Sequence, residues 1–463
     1  MCVKSKAVWP SSLRRGVGNA MRSALLASFG LSACMWRSNL WVGRNDAQFA
    51  LDPAFAHDGI FVLDLGAVDN LNWTPQGLAV QTDGRLVLGG TGGTTTHGTF
   101  AALRLRDDGA LDASFGVGGI AEIDFGYPYA LVQSVRLQDD GKVIVTGEVA
   151  SAATGGRQVG VARLLANGAL DPSFATTGWR LLDLLAGEDI VNGVVLLRDG
   201  RLRLCGQGWA VPGGTSDLVV YGLLANGDLE TSFGTDGVLR VDFFGGDEFG
   251  GACEPGGADT LLVPGMTWVD TRFDAALARV LPSGAFDATF GDGSTGMPGR
   301  ATFGMAGQNT ACDCVLRQAD GTLLCATGVG PVGASDSLLV RFLADGRLDA
   351  TFGAGGRVIL DLGGNDAFRT VVALPDGRLA AAGSRTNDAG DLDFSLAVLA
   401  RDGTLDASAG SNVGRLGVYG FDVTPGHHDE AHVAALDPAG HLLLFGETAD
   451  GVSNNLAVLR LAF

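Results

Sequence analysis

The nonapeptide LDASFGVGG (111–119) sets a Leu and a Phe among residues that favour tight turns, and the chain writes it seven times. The other copies are LDPAFAHDG (51–59), LDPSFATTG (170–178), LETSFGTDG (229–237), FDATFGDGS (286–294), LDATFGAGG (348–356) and LDASAGSNV (405–413). Successive copies begin 60, 59, 59, 57, 62 and 57 residues apart, a period that signals a repeat architecture. Between copies, apolar residues alternate on a two-residue period, which is strand patterning. In the first unit this predicts strands near Ile60–Leu65, Leu78–Gln81, Leu86–Gly89 and Phe100–Leu105. TDG (82–84) joins the second and third, and the same turn returns as DDG (139–141), RDG (198–200), ADG (319–321), PDG (375–377) and PAG (438–440). Asp-Gly suits a hairpin because Gly takes positive φ without strain.

No unit carries an amphipathic helical pattern, which excludes α/β barrels and doubly wound sheets. A β-helix has shorter coils, and its calcium-binding G-G-x-G-x-D tandem is missing. Four strands repeated seven times predict an all-β fold, a seven-bladed β-propeller of four-stranded antiparallel blades, whose radial packing leaves only short outer edges. The chain opens with a nonapeptide and a fourth-type strand and ends with a third-type strand, Leu456–Leu461. The N-terminal outer strand is therefore expected to complete the last blade and close the ring.

The unit FAALRLRDDGALDASFGVGGIAEIDFG (100–126), followed by an apolar strand, an Asp-Gly turn and a second strand, resembles the delta-60 repeat. The resemblance covers about residues 51–463 and implies a propeller in an exported bacterial protein, with no catalytic motif attached. Unit four departs from it with EPGGAD (254–259) in place of the hairpin turn, and unit seven has Ala409 where the others have Phe.

Charge repeats with the same period. Arg104, Arg163, Arg279 and Arg341 each stand eight residues before an acid of the nonapeptide, Asp112, Asp171, Asp287 and Asp349. The fixed offset predicts a latch between the third strand and the turn into the fourth. Arg460 has no residue eight positions later, so its expected partner is Asp52, across the closure. Copies in every unit read as scaffold, since equivalent residues spread around a ring do not converge on one substrate.

Four-stranded blades put the loops between blades and the second-to-third loops on one face. That face is expected to carry Trp73, Trp209, Trp268, Tyr127 and Tyr129, a suitable set for binding a protein, peptide or glycan, or alternatively caps on their own blade ends. Acids before the innermost strands include Asp189, Asp247, Asp366 and Asp429, which would form an acidic funnel, as solvated loop acids or as weak candidates for a calcium site; no other cofactor is expected. In HHDEAH (427–432) the spacing is not that of a zinc protease, and surface imidazoles are the favoured reading. CDC (312–314) lacks the second pair that a zinc site needs, and the favoured alternative is buried thiols with one bridge such as Cys253 to Cys312.

Lys4, Lys6, Arg14, Arg15 and Arg22 precede the apolar run Ala24–Ala33, too short to span a bilayer, and the layout reads as an export signal. LSAC (31–34) resembles the bacterial lipobox, which implies lipidation of Cys34; ordinary cleavage with full secretion stays open. The organisation expected is thus residues 1–34 as the signal, 35–50 as a linker and 51–463 as the propeller. The net charge of -19, from 32 basic and 51 acidic residues, disfavours nucleic acid, and the membrane is reached only through the lipid. These features point to a monomeric, noncatalytic binding scaffold that is secreted or at the cell envelope. The alternatives are a polysaccharide hydrolase or lyase using an acidic funnel, and an adhesion or signalling scaffold.

Overall fold

In the computed structural model the residues described are 49–64, 77–94, 97–150, 156–291, 293, 296–331, 333–449 and 454–463. Trp73 and Cys34 lie outside them. The alternating segments pair into seven antiparallel sheets, the blades of a propeller, and the one helical element among the described residues is the 3-10 turn Ala407–Ala409. Blade 1 runs from the inside out as Leu78–Val80, Leu86–Thr94, His97–Leu105 and Ile120–Ile123. The innermost strands of blades 2 to 6 are Tyr129–Leu137, Asp189–Leu196, Glu248–Gly250 with Glu254–Gly257, Cys314–Arg317 and Ala367–Ala373. Blade 7 takes Asp429–Leu436, Leu442–Ala449 and Asn454–Ala462 from the C-terminus and Ile60–Leu63 from the N-terminus.

Ile60 pairs with Leu459 and Leu63 with Leu456, so the ring closes by sharing one sheet between the two ends. Ala50, in the segment expected to be a linker, already belongs to this sheet by pairing with Ala462, and Phe49 before it is buried against Tyr419 and Phe463. Seven apolar clusters fill the spaces between neighbouring blades, and the one joining Leu443, Phe445, Leu456 and Val458 to Leu86, Leu88 and Leu103 spans the closure.

The second and third strands of blade 1 run past the Gly pair where the sequence suggests they stop, with Gly90 opposite Ala101 and Gly92 opposite Thr99. The glycines serve close packing, because a Cβ at Gly89 would lie 2.7 Å from both Val132 and Val135 of blade 2. The TDG turn has Gly84 N donating to Gln81 O and Gly84 at φ 84°, a three-residue hairpin loop ending in a left-handed residue. In unit four the two-residue turn Ala258-Asp259 replaces it, with both residues at positive φ, and the innermost strand there is split in two.

The nonapeptide Phe residues lie against the following blade. A Cβ on the turn glycine of the next blade would meet the ring of Phe115 at Gly168, of Phe174 at Gly227 and of Phe352 at Gly403. At unit seven, where Ala409 is small, Tyr419 donates to the Ala409 carbonyl and Phe49 N donates to Tyr419 Oη, so two aromatics from elsewhere occupy the seam.

The cysteines pair differently from the bridge considered on sequence grounds. Cys253 is bonded to Cys205, tying blade 3 to blade 4, and Cys312 to Cys325 within blade 5, leaving Cys314 as the free thiol among the described residues. Cys325 faces Val315, three residues beyond Cys312, and this adjacency exists only once the strands pair.

Candidate functional site

The latch residues come first because they hold the frame. Arg104 Nε donates to Asp112 Oδ2 at 2.8 Å, and the distance is also 2.8 Å for Arg163 to Asp171, Arg279 to Asp287, Arg341 to Asp349 and Arg460 to Asp52. Each Arg also reaches the next blade: Arg104 Nη1 donates to Ala166 O at 2.6 Å, Arg163 to Ala225 O at 2.6 Å and Arg279 to Ala344 O at 2.6 Å. The guanidinium covers its own nonapeptide ring, 4.8 Å from the Phe115 centroid and 4.7 Å from that of Phe55 at the closure. One cation thus joins strand, turn, ring and neighbouring blade. In the two remaining units the cations come from the second strand or from the turn residue just before it. Arg203 and Arg201 hold Glu230 at 2.8 and 2.6 Å, and Arg378 holds Asp406 at 3.1 Å.

Strand alternation sends the loops between blades, and the second-to-third loops, to one face, while the nonapeptides and Asp-Gly turns occupy the other. On the loop face above blades 3 and 4, Leu184, Val211, Phe244 and Trp268 are 36, 59, 48 and 40% exposed. The two types of loop are tied together there, with Trp209 O accepting from Gly187 N and Trp268 N donating to Asp247 O, both at 2.9 Å. Trp268 rests edge-on against Phe273 at 4.8 Å, so it is both a partial cap on its blade and an exposed aromatic. Trp209 is half-buried. Tyr127 is also half-buried and packs on the core between blades 1 and 2. Burial raises the Tyr129 pKa.

The inner-strand acids do not form an open funnel. Asp189, Asp366 and Asp429 are fully buried and fasten the incoming loop: Asp189 accepts from the amides of Leu184 and Leu185 and from Tyr221 Oη at 2.6 Å, and Asp366 from Ser337 and Leu362 N. Asp429 accepts from Val423 N at 2.6 Å and Thr424 N at 3.1 Å. Asp247 is half-buried and accepts from Ser216 N at 3.0 Å, while its neighbour Glu248, 0% exposed, takes the equivalent strand position and accepts from Thr267 Oγ1. Burial pushes Glu248 and Asp429 up to about 7.

Among the described residues, three groups of side chains bring metal-ligating atoms within 4.8 Å of one another: Asp217, Asp242 and Glu248; Asp336, Asp361 and Asp366; and Glu430, His432 and Glu447. The first two are all-oxygen sets of the kind a hard cation takes, but Asp217 is already paired with Arg240 and Asp366 with its own loop. The third mixes carboxylates and an imidazole; its Glu430 is also paired, but both ring nitrogens of His432 are buried without a hydrogen-bond partner. Here Arg369 lies between two acids, 2.7 Å from Glu430 Oε1 and 3.4 Å from Asp313 Oδ2. Burial acts to raise the Glu430 pKa, yet the facing Arg369 outweighs it and holds the carboxyl below its ordinary value.

The first strands of all seven blades line a central cavity of about 940 Å³, where Arg136 of blade 2 meets Glu254 of blade 4 at 3.3 Å. His432 and Arg203 carry more weight in the structure than the sequence suggested. His432 is buried at 3% exposure rather than a surface imidazole, because it lies inside the strand Asp429–Leu436, and only its two-residue offset from Glu430 within a strand pattern signals this.

Four segments, 81–115, 138–174, 318–352 and 374–408, match the family model described as a domain of unknown function (DUF5122) beta-propeller. They cover the second and third strands and the start of the nonapeptide in blades 1, 2, 5 and 6. No curated protein matches the chain. Among solved structures the chain is similar to the polysaccharide lyase Uly1, at 10% identity and a TM-score of 0.47 over 86% of this chain and 92% of that one. It is also similar to the alpha-L-arabinofuranosidase arb93a from Fusarium graminearum, at 11% identity and a TM-score of 0.36 over 85% and 95%. A GH43 endo-arabinanase from Bacillus licheniformis gives 10% identity and 0.32 over 67% and 98%. The described residues form a seven-bladed propeller, and four of its repeats are similar to the DUF5122 beta-propeller.

Proposed function

We propose that this chain is a noncatalytic interaction scaffold of the delta-60 type, exported to the bacterial envelope and holding a protein, peptide or glycan ligand against its loop face. The observation that carries the reading is the exposure of Leu184, Val211, Phe244 and Trp268 over two adjacent blades tied by a disulfide. Large apolar side chains held at a rigid surface supply binding energy at low entropic cost. Asp189, Asp366 and Asp429, whose pKa values burial raises, are engaged in fastening loops, which supports a scaffold role rather than acid–base chemistry.

The full-length protein is to be read on glycan and peptide arrays beside Trp268→Ala/Phe244→Ala. Loss of an anchor of about 2 kcal/mol lowers affinity roughly 30-fold, and an unchanged array profile would remove the loop face from consideration. Tethering through Cys34 is a separate part of the proposal. It predicts palmitate incorporation in a bacterial host that disappears in Cys34→Ser, and labelling that persists in that variant overturns it.

A further inference from the structure

Glu430 and Glu447 stand directly opposite one another across the first two strands of blade 7. Like charges in that relation repel, and a carboxylate pair facing into a sheet needs a cation to settle it. Arg369 meets Glu430 from blade 6, but it is shared with Asp313 of blade 5. The cluster therefore sets the three carboxyl groups of Asp313, Glu430 and Glu447 against the single guanidinium of Arg369.

His432 is the extra residue of the bulge between Ala431 and Val433 and is 3% exposed, yet neither ring nitrogen has a hydrogen-bond partner. The nearest carboxylate oxygen, Glu447 Oε1, is 3.8 Å from Nε2, and Glu447 Oε2 is buried without a partner too. A buried imidazole and a buried carboxylate oxygen left unpaired in the same place are costly unless a shared ligand satisfies both.

Blade 2 provides an internal comparison. The same register places Gln133 at the bulge and Glu148 on the facing strand. There the amide of Gln133 donates to Glu148 at 3.3 Å and Arg157 to its other oxygen at 3.0 Å, so the carboxylate is satisfied within the chain. Blade 7 keeps the carboxylate, exchanges the amide for an imidazole and adds a second acid. That exchange leaves the facing-strand carboxylate, Glu447, without the amide and Arg partners of Glu148, while Glu430 keeps Arg369 and Ser384, and it creates a set of two oxygens and one nitrogen with ligating atoms within 4.8 Å.

We propose that Glu430, His432 and Glu447 form a binding site for one divalent transition ion of the Zn²⁺ or Mn²⁺ kind, fastened in the wall of blade 7. Mixed imidazole and carboxylate donors suit such ions, whereas Ca²⁺ takes oxygen alone. A cation between Glu430 and Glu447 also relieves the repulsion of the two facing carboxyl groups. The site is structural in its consequences, since it cements the blade in which both chain ends meet.

The test uses the full chain stripped with chelator and titrated calorimetrically with ZnCl₂, MnCl₂ or CaCl₂ alone. One equivalent of Zn²⁺ or Mn²⁺ per chain is expected. His432→Gln, which installs the side chain that blade 2 has at this register, is expected to lose affinity at least tenfold while melting no lower than the stripped parent. His427→Ala/His428→Ala, which removes the loop imidazoles, is expected to bind as the parent does. The proposal is overturned if neither transition ion binds saturably, if only Ca²⁺ binds, if His432→Gln retains parental affinity, or if the loop variant abolishes binding.

Discussion

Asp112 receives Ser114 Oγ at 2.6 Å, Ser114 N at 3.0 Å and Arg104 Nε at 2.8 Å, and these donors, the serine hydroxyl first, hold its carboxyl down at about 2. A folded pKa below the unfolded value stabilises the protein above about pH 4 and is lost as pH falls toward 2. Glu248 and Asp429 act in the opposite sense. Their folded values of about 7 make the protonated forms native, so their contribution is full below about pH 4 and lost as pH rises to about 7. Glu248→Gln and Asp429→Asn are therefore expected to flatten the decline in melting temperature between pH 4 and 8 and to raise stability at pH 8. An unaltered pH profile in both variants would show that burial does not hold these protons.

At the scale of the strand, the recurring device is a bulge in the innermost strand with a glycine facing it. The register shifts at Val132/Ser134, Val191/Gly193, Phe368/Thr370 and Ala431/Val433. Opposite them, a Cβ on Gly147, Gly206, Gly383 or Gly446 would fall 1.9, 2.1, 1.9 or 1.9 Å from a carbonyl oxygen of the bulged strand. Gly147→Ala is expected to cost about 1–3 kcal/mol by forcing the two strands apart, read as a lower urea midpoint at constant m. The same change at Gly118, where a Cβ meets nothing within 4 Å, carries only the backbone strain of its φ of 66° and serves as the comparison. These glycines stand out in the sequence as VTGEV, LCGQG, AAGSR and LFGET, but their reason becomes visible only with the bulge beside them.

For the whole molecule, stability depends on a ring whose last sheet is assembled from both ends. Arg460 reaches back across 408 residues to Asp52 and donates to Asp107 O of blade 1. Arg460→Ala leaves Asp52 buried without its charge partner, at an expected cost of about 3–5 kcal/mol, and the double variant with Asp52→Ala is expected to recover part of it. Hydrogen exchange at Ile60–Leu63 is expected to accelerate in Arg460→Ala more than in Arg163→Ala, since only the former frees a chain end. Equal acceleration would show that the closure is no weaker than an interior blade. The bridge between Cys205 and Cys253 offers a second point of attack, and Cys205→Ser is expected to cost about 2–5 kcal/mol, with the loss centred on blades 3 and 4.

The period of the nonapeptide, the two-residue alternation and the Asp-Gly turns were sufficient for the blade count and the sharing of the last sheet, because each is a local pattern that only one radial packing satisfies. The Arg-to-acid spacing was equally legible, since both partners of four latches lie within one strand and its turn, and the fifth, Arg460 to Asp52, follows from the same offset once the last sheet is shared. What tertiary structure alone decided lies between strands distant in sequence. It set the replacement of a third-strand Arg by Arg203 from the adjacent strand, the filling of the gap at Ala409 by Phe49 and Tyr419, the cysteine pairing, and the burial of Asp189, Asp366, Asp429 and His432. Their neighbours are chosen by sheet register and by the contact of one blade with the next, and neither can be read from spacing along the chain.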